Sequence, residues 1–214
     1  MDVNKNLNDI AEIKELMNKS SRFISLSGLS GVFAGIFALA GAVLVFFRFM
    51  EFFSSRISAD LYNFELLKGE ELKDFITFSI IIGIAVFISA VLTGLFFTLR
   101  KAKRNNQKIW DLSVKKLLIN LFIPLITGGV FIFALLYHGI IYLIAPTTLV
   151  FYGLALINAS KFTFRDVRFL GISEVILGLI SMFFVGYGIF FWALGFGVLH
   201  IIYGISMYIK YDRK

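Results

Sequence analysis

The chain has 214 residues, 58% of them hydrophobic, 17% aromatic and only 16% charged, with a formal net charge of +7. Soluble domains carry roughly 25% charged residues, and here the apolar excess lies in blocks of about 20 residues, the length that crosses a bilayer as a helix, so a large soluble core is excluded. Cysteine is absent, which excludes disulfide scaffolds, thiolate metal sites, iron–sulfur clusters and thiol nucleophiles.

Residues 1–22 are polar, with Leu7, Ile10, Ile13 and Met17 near helical spacing. They predict an amphipathic cytoplasmic helix lying at the membrane surface. The apolar block that follows exceeds the roughly 7–15 residues of a signal-peptide core and is expected to stay uncleaved.

Residues 23–209 predict an all-α polytopic transmembrane helical bundle of six spans, at 23–47, 75–99, 117–137, 140–159, 169–185 and 187–209. Pro124 is expected to bend the third span, and Pro146 falls in the fourth. Between these two spans, Tyr137-His138-Gly139 reads either as a tight turn or as the start of a partly re-entrant connection. A 48–74 loop follows the first span, a basic 100–116 loop follows the second, and 210–214 form a tail.

Charge fixes the expected orientation. Of the 21 Lys and Arg, 17 fall in the 1–22 tail, the 100–116 and 160–168 loops and the C-terminal tail, while Arg48, Arg56, Lys68 and Lys73 lie in the 48–74 loop. Positive residues accumulate in cytoplasmic loops, so both termini are placed in the cytoplasm of a bacterial-type inner membrane, and the basic excess is topological, with no nucleic-acid partner expected. Of the 14 acids only Glu174 falls inside a span.

Residues 25–37, SLSGLSGVFAGIF, align without gaps to 168–180, RFLGISEVILGLI, matching Gly28, Ser30, Val32 and Gly35 to Gly171, Ser173, Val175 and Gly178. Thr127-Gly128-Gly129-Val130-Phe131 is a fainter echo in the third span. Three helical hairpins built on one plan would give this pattern, as would coincidence between two Gly-rich apolar helices. The stretches SSRFISLSGLSGVFAGIFALAGA and GYGIFFWALGFGVLHIIYGISMYIKYD resemble a family of uncharacterised bacterial six-span integral membrane proteins. The Gly171, Gly178, Gly188, Gly195, Gly204 rhythm is more loosely similar to HdeD-type acid-resistance membrane proteins. These resemblances imply a six-span envelope protein, with no activity to transfer.

Glu174 lies between Gly171 and Gly178, and His200 between Gly197 and Gly204 at the same spacing. Small residues allow close helix approach, so both faces are expected to look inward. At about 1.5 Å per residue, Glu174 sits roughly 9 Å from Arg168, Tyr203 roughly 10 Å from Lys210 and His200 roughly 15 Å from it. A candidate intramembrane polar site therefore comprises Glu174, His200, Tyr203, Asn120 and Asn158, with Glu174 bonded to Tyr203 or reaching His200. Intramembrane ionisable groups mark ion pathways and proton relays, and a lone acid also fixes helix register.

No Walker A, dinucleotide, HExxH or G-x-S-x-G pattern is present. No catalytic, cofactor or metal residue is expected, and the protein is read as not an enzyme. The cluster Arg100, Lys101, Lys103, Arg104 and Lys108 is a candidate contact for anionic lipid headgroups, with Trp110 as an interfacial anchor. The sequence thus gives a multi-pass protein of non-catalytic envelope, stress-related or assembly type, partnered by the bilayer and by a second copy or other membrane proteins. A small proton-linked transporter or channel using Glu174 and His200 is the alternative.

Overall fold

The computed structural model describes residues 26–54, 70–105 and 110–213, and helices account for nearly all of them, with no strand among them. The helices are α1 (Gly28–Ser54), α2 (Glu70–Arg104), α3 (Leu112–Tyr137), α4 (Ile144–Ala159), α5 (Asp166–Ser181) and α6 (Gly188–Asp212). They correspond in order to the six predicted spans, and the fold is the all-α bundle expected. The predicted surface helix at 1–22, the central part of the 48–74 loop and Lys108 lie outside the described residues.

Five helices are long and apolar enough to cross a membrane; α5 is shorter. Its 16 residues reach about 24 Å, against a hydrocarbon core of about 30 Å. The predicted span 169–185 overshoots because the apolar run continues past the helix. Phe183 N–H donates to Ile180 O at 3.0 Å and Phe184 N–H to Ser181 O at 3.1 Å, closing turns that lead to Gly186 at φ +90°.

The junction before α4 is the tight turn and not a re-entrant segment. Ile140 N–H donates back to Leu135 O at 2.8 Å and Gly139 N–H to Leu136 O at 3.1 Å, with Gly139 at φ +73°. That paired closure around a left-handed glycine ends a helix while satisfying its last carbonyls. A 3₁₀ turn at Ile141–Leu143 then feeds α4, placing Pro146 in the first turn, where its missing N–H is harmless. The helix α3 runs unbroken through Pro124. Its start is set by Asp111, whose side chain accepts from Val114 N–H at 2.8 Å.

Packing follows the glycines. A Cβ on Gly153 would lie 2.6 Å from Gly171 O and one on Gly171 2.7 Å from Gly153 O, so α4 and α5 touch backbone to backbone. On α6, a Cβ on Gly204 would meet Val32 N of α1 at 2.5 Å, and Gly28 on α1 lies against the Tyr208 backbone. The aligned residues Gly28 and Gly171 therefore do the same work in two seams. Helix α2 packs along α1, α3 packs along α4, and α6 links α1 to α4 and α5. Helices α2 and α3 share no contact of this kind: Gly83 and Gly94 of α2 and Gly129 of α3 have open space where a Cβ would stand.

Candidate functional site

Three helices bring one acid, one imidazole and one phenol together. Glu174 of α5 is fully buried, and His200 of α6 is 6% exposed. His200 Nδ1 lies 3.3 Å from Glu174 Oε1 and 3.1 Å from Gly195 O, while Nε2 is 2.8 Å from the Tyr152 hydroxyl of α4. The ring geometry assigns roles. Nδ1–H is aimed at the Gly195 carbonyl, so in the neutral ring Nε2 accepts from the Tyr152 O–H. Neither oxygen of Glu174 has a hydrogen-bond partner among the described residues. The 3.3 Å approach is thus charge-pair proximity and not an aligned hydrogen bond.

Local sequence sets up this approach. Residues Ala193–Leu199 wind as a π-helix directly before His200, the wide turn that recurs at functional sites. Gly195 within it lies against Glu174 Oε2 and Leu149, where any Cβ would collide with both. The ring of His200 also stacks on Phe196 at 5.9 Å. A bare carboxylate away from any donor is costly in an apolar interior. Glu174 and His200 holding one proton between them are neutral overall, whether as acid with imidazole or as carboxylate with imidazolium. A second proton, or none, leaves a net charge in the bundle, which hydrocarbon penalises.

The structure splits the predicted polar cluster into two pairs, Glu174 with His200 and Asn158 with Asn120, and leaves Tyr203 out of both. Tyr203 packs against the buried apolar cluster of Leu156, Val167, Leu170 and Met207, because its place three residues beyond His200 turns it toward the polar end of α5. Of the two partners expected for Glu174, Tyr203 and His200, the structure places His200 beside it. Asn158 Nδ2 donates to Asn120 O at 3.0 Å and Asn120 Nδ2 to Lys116 O at 2.8 Å, while Lys161 donates to Asn158 at 3.1 Å. Those two asparagines form a separate α3–α4 contact. Sequence reading missed Tyr152; its signal is a tyrosine midway along α4, away from the interfaces where tyrosine concentrates.

The basic cluster divides as well. Arg100, Lys103 and Arg104 are exposed, but Lys101 is 9% exposed. Lys101 Nζ donates to Asp212 Oδ1 at 2.5 Å and to Leu26 O at 2.9 Å. Its assignment as a headgroup contact is corrected: burial against α6 removes it from the lipid surface. The other oxygen of Asp212 accepts from Ser27 Oγ and from Gly28 N–H, both at 2.9 Å. The first turn of α1 is thus capped by Asp212 of α6, an anion at a helix N-terminus. Beside it, Asp166 accepts from Tyr211 O–H at 2.6 Å and from Lys210 at 3.0 Å. Partial burial acts to raise the Asp166 carboxyl, but the Tyr211 and Lys210 hydrogen bonds outweigh it and hold the group below the usual carboxylate range.

No group of three His, Cys, Asp or Glu side chains converges among the described residues. Compared with known proteins, the chain matches no family model, no curated protein and no solved structure.

Proposed function

We propose that this is an inner-membrane protein with both termini in the cytoplasm, built around a proton-holding centre of Glu174, His200 and Tyr152, and that it acts as a small proton-linked carrier or channel without enzymatic chemistry. The observation that supports it is the fully buried carboxyl whose oxygens lack donors among the described residues yet lie beside an imidazole at 3.3 Å. A register-fixing acid would be expected to have both oxygens satisfied by neighbouring helices. An acid left unsatisfied among the described residues, beside an imidazole, is suited to hold and hand on a proton as the bundle moves. The charge penalty for any state other than one shared proton ties protonation to hydration or to helix displacement.

Proteoliposomes loaded with a pH-sensitive dye test this. Wild-type protein should pass protons down an imposed gradient, and Glu174→Gln, which keeps the shape and removes the titration, should lower that flux by about tenfold or more, roughly 1.4 kcal/mol in barrier. Equal flux from the two proteins at equal reconstitution would end the proposal.

A second reading, assembly with another membrane protein or a second copy in an envelope or stress role, is supported by α2. None of its most apolar 18-residue window is buried, and Ile81, Phe87, Leu92 and Phe96 are each more than half exposed. Bilayer lipid satisfies such a face as well as protein does. Cross-linking in native membranes through a cysteine at Leu92 separates the two, since a chain that touches only lipid gives no dimer band.

A further inference from the structure

The buried residues of α5 form one stripe, Val167, Leu170, Gly171, Glu174, Gly178 and Ser181, at the three- and four-residue spacing that keeps one face of a helix. The two halves of that stripe differ. On the Asp166 side of Glu174, Val167 and Leu170 pack with Leu156 and Met207 into the buried apolar cluster, and Leu199 and Tyr203 close over it. The stripe offers a proton nothing to move along in that direction. On the other side comes Gly178, which has no side chain, and then the buried hydroxyl of Ser181.

That hydroxyl is orphaned. Ser181 Oγ and both oxygens of Glu174 are buried and have no hydrogen-bond partner among the described residues. Hydroxyls on other helices of the bundle fold back on the carbonyl four residues earlier: Ser79 on Phe75 O at 2.8 Å, Thr127 on Ile123 O at 2.9 Å and Ser173 on Phe169 O at 3.0 Å. Ser181 makes no such bond. Orphaned polar atoms on one buried stripe are the setting in which bound water bridges polar groups. Seven residues separate Glu174 from Ser181, about 10 Å of helix, the span of about three waters joined by hydrogen bonds about 2.8 Å long.

Resting on the reading of Glu174 and His200 as a proton-holding centre, we propose that this centre exchanges protons with the side of the 182–187 turn, through a file of water running from Ser181 past Gly178 to Glu174. A hydronium at Ser181 gives up a proton, the hydroxyl and each water accept one and release another, and the Glu174 carboxylate takes the last, leaving a neutral water at the entrance. Leu149 of α4 is the element that interrupts the file. It is fully buried and lies against both Gly178 and Gly195, the glycine that borders Glu174 Oε2.

The chain has no cysteine, so single cysteines introduced into it can report where water reaches. Silver ion, no larger than a water molecule, is added to one face of sealed, uniformly oriented vesicles in nitrate buffer, and blocked thiols are read by their failure to take maleimide after unfolding. Ser181→Cys, a nearly isosteric change, is expected to be blocked from the face that blocks Tyr187→Cys, about tenfold faster than Leu170→Cys. Glu174→Cys should be blocked from that same face more slowly, and about tenfold faster when Leu149→Ala is added. Blocking of Ser181→Cys from neither face or from the opposite one, equal rates for Ser181→Cys and Leu170→Cys, or blocking of Glu174→Cys from the Asp166 side would each overturn the proposal. If Glu174→Cys does not fold, Ser181→Cys against Leu170→Cys decides. Silver blocking needs no proton transport, so a missing water file is distinguished from a failure of the carrier reading, which unchanged flux in Glu174→Gln would show.

Discussion

Between α4 and α5, Gly153 and Gly171 bring two backbones into contact, whereas Gly83 and Gly94 of α2 and Gly129 of α3 have nothing within 4 Å of where a Cβ would stand. Both regions are apolar helix with glycine at intervals, and composition does not separate them. What differs is company. The helices α4 and α5 share α6 as a neighbour, while α2 has α1 alongside it and reaches α6 through the Lys101–Asp212 pair at one end. Small residues therefore permit close approach and do not compel it; in hydrocarbon, where lipid is as apolar as leucine, packing has to be won by shape.

Substitutions can break this contrast. The largest effect is expected at the fastening point of α2: Lys101→Met leaves Asp212 buried without its cation, a change that costs about 3–5 kcal/mol, while exposed Arg100→Met should be nearly silent. Thermal unfolding in detergent measures both. Next comes Gly171→Val, which forces atoms into the Gly153 backbone at a cost of about 1–3 kcal/mol or more, against Gly94→Val on α2, where a Cβ meets nothing within 4 Å and the melting temperature should stay unchanged. Equal losses from these two valines would show that the face of α2 at Gly94 is packed as closely as that of α5. A smaller effect belongs to Tyr152→Phe, which removes the phenol from His200 Nε2 and should cost about 0.5–1.5 kcal/mol with a shift in the pH profile of proton flux. The least is expected of Asp166. Its carboxyl is held below its ordinary value in the folded chain, so its contribution is present above the unfolded pKa of about 3.9 and fades as pH falls through the lower folded value. The melting difference between wild type and Asp166→Asn should be flat from about pH 5 to 8 and shrink below about pH 4.

Much of the architecture was legible in sequence because a bilayer imposes length and polarity on each helix separately. Six spans, the burial of Glu174 and the inward placing of His200 all follow from single-helix rules. Features that depend on two helices were not legible. Lys101 reads as one more cation in a basic run until Asp212 is seen beside it, because charge counting assigns sides and not partners. The end of α5 was hidden because Met182 to Val185 stay apolar although the backbone has turned. Tyr203 sits near His200 in sequence but faces a different neighbour, and Tyr152, 48 residues away, is the one that reaches the imidazole.

The Asp212 cap on α1 also sets a schedule for synthesis. Gly28 N–H waits for an acceptor 184 residues later in the chain, and at about 5–20 residues per second the ribosome needs roughly ten to forty seconds to make it. During that interval the first helix stands in the membrane with its leading turn unsatisfied, and Lys101 emerges with no counter-ion. The α1–α6 contact is therefore completed only once Asp212 has been made, so α1 takes its capped form after the five helices that follow it have been synthesised.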